Sequence, residues 1–210
     1  FLVKEGLISI DRFTSMFGMV GLADAVNHLL GAKDQKARFG HSKEADDLGV
    51  RIIEKLEEEV NKHHNPYCKF SDGKFLLHAQ VGIDTDKGIA PGCRTPIGEE
   101  PEIWDHIKHC ALFHKFFPTG IGDIFRFDST VKRNPQYVLD IMKGAMKVGM
   151  RYISFYTSDS DVVRITGYLV KRSDMEKLER GEQVLNGAAV LGLGAVKNQH
   201  VLDRKERKDA

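Results

Sequence analysis

Residues 162–170 read Val-Val-Arg-Ile-Thr-Gly-Tyr-Leu-Val, setting Gly167 between Arg164 and Tyr168. A glycine there gives the backbone turns closed to other residues and lets it approach a partner closely. An arginine can pin such a loop through two parallel hydrogen bonds, and a tyrosine packs while keeping its hydroxyl as a handle. Taken alone, the run has a plain reading as a turn glycine. A second set is His106, Cys110 and His114 at four-residue spacing, with His109 alongside. That pattern puts candidate ligands near one helical face. They span two helical turns, and a compact site needs a further element. His63 to Cys68 could supply one, but no recognised spacing connects the two stretches. Core or surface histidines are therefore the preferred reading, and no metal is assigned.

The segment from Gly6 to Asn27, Gly-Leu-Ile-Ser-Ile-Asp-Arg-Phe-Thr-Ser-Met-Phe-Gly-Met-Val-Gly-Leu-Ala-Asp-Ala-Val-Asn, adds a second signature. It resembles the segment that follows the cysteine loop in the glycyl radical enzymes, and the run around Gly167 resembles their radical loop. The two occur in the family's order, and together they look most like its YjjI branch. Thr166 departs from the pattern, standing where a Ser, Ala or Cys is usual.

The resemblance implies a mechanism. Gly167 would store a radical on its α-carbon, with Arg164, Thr166 and Tyr168 as supports of the radical loop. An α-carbon radical is stabilised when the carbon flattens between a donating amide nitrogen and a withdrawing carbonyl, and any side chain crowds that geometry. In the family the glycyl radical takes a hydrogen atom from a cysteine, whose thiyl then abstracts one from substrate. Family order places that cysteine upstream of Phe1. Of Cys68, Cys93 and Cys110, only Cys93 is kept as a cavity candidate, because Ala90 to Pro96 reads as a tight loop. An ordinary semi-buried cysteine is preferred for all three.

The same resemblance implies partners. A radical S-adenosylmethionine activating enzyme with an iron–sulfur cluster would install the radical, so no cofactor is expected on this chain. A small polar metabolite is the expected substrate, in anaerobic cytoplasm, and a homodimer is compatible with the family. The competing reading is a non-catalytic radical spare-part or interaction domain. No CxxC pair occurs and no cysteine follows Cys110, which argues against the zinc-bearing anaerobic ribonucleotide reductase branch. Val190 to Lys197 lacks the GxxxxGK[ST] arrangement of a phosphate loop.

Composition narrows the classes. The 210 residues are 41% apolar, enough for one sizeable core. Thirty-one basic and 30 acidic residues leave a formal charge of +1, which gives no argument for nucleic acid or membrane partners. No apolar run reaches transmembrane length, and three scattered cysteines form no disulfide framework, which favours the cytoplasm.

The elements that must position these residues read as α/β. Asp11 could cap a short helix containing Phe13 and Phe17, and Leu22, Val26 and Leu30 recur at helical spacing. Lys43 to Lys62 reads as an amphipathic helix with Leu48, Ile52, Leu56 and Val60 as its apolar stripe. Phe75–Val81, Ile121–Phe127 and Tyr152–Tyr156 read as strands. Glu102–Phe113 reads as helix, and Asn134 with Pro135 opens another, whose apolar side is Val138, Ile141, Met142 and Ala145. Ser173 to Glu176 has the form of a capping box, with Gly181 closing the helix. With the resemblance, the expected fold is the C-terminal part of a ten-stranded α/β barrel. Residues 1–150 would be barrel, incomplete at the N-terminus, and residues 151–210 the radical loop region, C-terminal helix and tail.

Overall fold

In the computed structural model the backbone is described for residues 1–79, 89–165, 168–186 and 189–191. Short strands alternate with helices. Strand β1 (Ser15–Gly18) leads through α1 (Leu22–Leu30) and α2 (Lys43–Val60) to β2 (Phe75–His78). The chain continues through α3 (Ile103–His114) to β3 (Ile124–Phe127), then through α4 (Pro135–Lys147) to β4 (Ser154–Thr157). β1 pairs parallel with β2, Ser15 opposite Phe75, and β3 pairs parallel with β4, Ile124 opposite Ser154. A parallel bridge between Ala79 and Ile121 links the two pairs. Parallel neighbours need a long crossover, and helices supply each one here. The chain is thus mixed α/β, as the sequence implies.

Beyond β4 the pairing changes. β5 (Val163–Ile165) runs antiparallel to β6 (Tyr168–Val170), α5 (Arg172–Glu179) follows, and β7 (Val184–Asn186) pairs antiparallel with β8 (Ala189–Leu191). Among the described residues no helix is long and apolar enough to cross a membrane.

The core lies where α2 and α3 meet the strands, around Ile53, Ile107, Phe113, Ile121 and Phe125. Burying one such side chain contributes roughly 1.5–3 kcal/mol. The helix at 43–60 forms as expected, but its buried face is Ala45, Gly49, Ile53 and Val60. Leu48 and Ile52 are only partly buried and Leu56 is exposed. Gly49 explains the rotation: a Cβ there would lie 2.6 Å from a ring carbon of Phe39, so the helix turns its smallest residues to the ring.

Three other expectations are corrected. Phe17 lies in strand β1, and Asp11 sits in a single helical turn, Ile10–Arg12, so no helix spans Phe13 and Phe17. Strands at 124–127 and 154–157 are shorter than, or shifted from, the apolar runs that announce them. Helix α5 begins at Arg172, so Ser173 is inside it rather than at its cap. The Asn134 cap does form: its side chain accepts from the Tyr137 N–H at 3.3 Å, with Pro135 at the first helical position.

Candidate functional site

Strands β5 and β6 place Arg164 opposite Leu169 and Ile165 opposite Tyr168. Thr166 and Gly167, the two residues between the strands, lie outside the described residues. What the structure shows is how the ends of this hairpin are held. Asp161 precedes β5 and Ser173 follows β6. The Ser173 hydroxyl donates to Asp161 Oδ2 at 2.6 Å, and the Ser173 N–H donates to Oδ1 at 3.2 Å. The Arg172 N–H also reaches the Asp161 carbonyl at 3.4 Å. One acidic residue therefore joins the two stems and satisfies donors in the first turn of α5. These hydrogen bonds hold the Asp161 carboxyl below the usual carboxylate range, the Ser173 hydroxyl first among them. α5 ends at Glu179, and Gly181 just beyond its cap takes φ +80°, a conformation that favours glycine.

The loop 90–96 is buried throughout. It is tied to the segment before α1: the Gly21 N–H donates to the Ala90 carbonyl at 2.8 Å and the Gly92 N–H to the Met19 carbonyl at 3.0 Å. The Ala90 N–H also donates to Asp24 Oδ2 at 2.9 Å. Gly92 has φ +58°, and a Cβ there would stand 2.5 Å from the Ala79 carbonyl oxygen. The turn is pressed against the backbone that follows β2. Cys93 is fully buried, its sulfur 3.9 Å from Met19 Sδ. Burial, and then the negative charge of Asp123, push its thiol pKa well up, so it stays protonated at neutral pH.

The four candidates on α3 are all buried, but they do not converge. His109 Nδ1 lies 3.0 Å from Asp46 Oδ1 on α2, and its ring meets Phe39 edge-on. His114 Nδ1 accepts from the backbone N–H of Arg151 at 3.1 Å and of Ile121 at 3.4 Å, which fixes that nitrogen as unprotonated. Burial, reinforced by the Arg151 charge and opposed by Asp123, lowers the His114 pKa to about 4. His106 and Cys110, one helical turn apart, both turn to Asp123 just before β3. His106 Nε2 is 2.7 Å and Cys110 Sγ 3.5 Å from Asp123 Oδ2. Sequence reasoning paired the helix residues but missed Asp123, because an acidic residue at a strand entrance has no periodicity to mark it.

A cleft of about 590 Å³ opens beside this cluster, lined among others by Glu100, Glu102, His106, Arg126, Tyr137 and Tyr156. Cys93 does not line it.

A family model described as "Glycyl radical enzyme YjjI-like" matches residues 1–207. An uncharacterized protein of Haemophilus influenzae is 43% identical over 212 residues, covering 100% of this chain and 41% of the relative. The uncharacterized protein YjjI of Escherichia coli K12 is 43% identical over 208 residues, covering 99% of this chain and 40% of that protein. The chain thus spans about two-fifths of the length of these curated relatives, and it belongs to the YjjI-like glycyl radical enzyme family.

Proposed function

We propose that this chain carries the radical-storing part of a glycyl radical enzyme, with the unpaired electron resting on the α-carbon of Gly167. The observation that carries the reading is the family match across residues 1–207, within which Arg164-Ile-Thr-Gly-Tyr168 has the form of the radical loop. An activating partner, using S-adenosylmethionine and its own iron–sulfur cluster, removes the α-hydrogen as an atom. Gly167 then takes a hydrogen atom from a cysteine thiol: a C–H bond forms as the S–H bond breaks. The thiyl takes a hydrogen atom from the substrate carbon, and the same exchanges in reverse restore the stored radical.

The structure supports the scaffold this needs. A stored radical must be held still and reached at one distance, and the Asp161–Ser173 contacts join the chain on either side of the run that contains Gly167. In this reading β1 to β4 are wall strands of the ten-stranded barrel. The parallel pairs with helical crossovers suit such a wall. Phe13, Met16, Phe17 and Val20, exposed on and beside β1, give the preceding part of a longer protein an apolar face to pack on. The thiyl cysteine belongs to that preceding part, the substrate is a small polar metabolite, and the setting is anaerobic cytoplasm. Electron paramagnetic resonance of the activated complete protein tests the assignment: a doublet that disappears in Gly167→Ala is the expected result.

A further inference from the structure

The geometry points to a buried site for one zinc-class divalent cation, bound by His106 Nε2, Cys110 Sγ and Asp123 Oδ2. These three atoms lie within 4.8 Å of one another, and all three residues are buried. They come from two elements. His106 and Cys110 project one turn apart from the same face of α3, and Asp123 meets them from the entrance of β3. This supplies the second element that the α3 residues lack by themselves.

The orientation of each donor favours convergence on one point. Asp123 Oδ1 accepts from the Ile124 N–H at 2.7 Å, and Oδ2 faces both His106 and Cys110. The His106 ring is braced by Phe125, centroid to centroid 4.5 Å. Such outer contacts are what fix metal ligands in place. Around a tetrahedral ion with bonds of about 2.0–2.3 Å, donors stand roughly 3.3–3.8 Å apart. The Cys110–Asp123 separation of 3.5 Å already fits, and the His106–Asp123 separation of 2.7 Å must open by less than about 1 Å. One imidazole, one thiolate and one carboxylate form a borderline set that suits zinc over magnesium or calcium. Solvent completes the shell. On binding, the Cys110 thiol proton leaves to solvent and the His106 N–H proton moves to Nδ1, so one proton is released per ion.

The test uses the complete protein, stripped of metal and titrated with Co²⁺ under anaerobic conditions. The expected result is one equivalent bound, with tetrahedral d–d bands and a thiolate-to-cobalt charge-transfer band, all displaced by Zn²⁺. Cys110→Ser should remove the charge-transfer band, and Asp123→Asn should weaken binding at least tenfold. Cys68→Ser should leave the spectrum unchanged, since that sulfur instead lies 3.2 Å from Ser15 Oγ. Should Cys110→Ser fail to fold by circular dichroism, His106→Asn serves in its place, with a tenfold weaker affinity expected. Absence of the charge-transfer band, or its survival in a folded Cys110→Ser protein, overturns the site. Neither readout involves Gly167 or its activation, so this result and the radical assignment stand or fall separately.

Discussion

Asp161 and Ser173 close the base of the β5–β6 hairpin, hydroxyl to carboxylate at 2.6 Å and amide to carboxylate at 3.2 Å. Twelve residues apart in sequence, they bracket the whole run that contains Gly167. Removing the carboxylate in Asp161→Ala should leave the fold intact and loosen the hairpin. Hydrogen–deuterium exchange of the peptide covering residues 163–170 is expected to speed up, while peptides from α3 and α4 exchange as before. The yield of glycyl radical on activation should fall in parallel. Unchanged exchange in the hairpin would mean the clamp restrains nothing.

The clamp also has a pH sign. The Asp161 carboxyl is held below its ordinary value, so its contribution is present above the usual carboxylate range and is lost as pH falls through the lowered value. Hairpin protection should therefore be flat at neutral pH and decline only in strong acid.

His114 gives a prediction of the same sign at higher pH. Its pKa falls from the ordinary 6.5 to about 4 because burial, reinforced by the Arg151 charge and opposed by Asp123, disfavours the charged ring. The unfolded chain then binds more protons than the folded one between about 4 and 6.5, so stability rises with pH across that window. The span is about 3 kcal/mol at most. Urea titrations from pH 4 to pH 7 are expected to show that slope, and His114→Asn to flatten it while lowering stability at neutral pH. A slope that survives in the variant would place its origin elsewhere.

How far these features were legible in the sequence differs by kind. Helices α2, α3 and α4 could be placed because their apolar periodicity is long enough to average out exceptions. The facing of α2 could not, because its packing is decided by small residues: Ala45 and Gly49 mark a close approach to Phe39, not a hydrophobic stripe. β1 is hidden in the sequence because Phe13 and Phe17 share helical spacing by coincidence, and a four-residue strand is too short to contradict them. Polar partners were the least visible. Asp46, Asp123 and Asp161 each act across tertiary distance, on His109, His106 and Ser173, and nothing local distinguishes them from surface acids.

Gly49→Ala tests the packing account of α2 directly. Alanine should favour an isolated helix by about 1 kcal/mol, yet its methyl would meet the buried Phe39 ring at 2.6 Å and the Phe113 ring at 3.3 Å. Overpacking of this kind costs roughly 1–3 kcal/mol, so the net expectation is a lower melting temperature. A higher one would show that the rings move aside freely.

The central claim is the radical on Gly167, and one measurement addresses it. The complete protein, activated anaerobically by a competent radical S-adenosylmethionine partner, should give an electron paramagnetic resonance doublet from the remaining α-hydrogen. Gly167→Ala should lack it. On admitting oxygen, addition to the carbon radical should sever the chain at Gly167 and release the piece that follows it, while protein never activated stays whole. No doublet and no cleavage at that site, with the same partner shown to activate another substrate protein, would contradict the account and leave Gly167 an ordinary loop glycine.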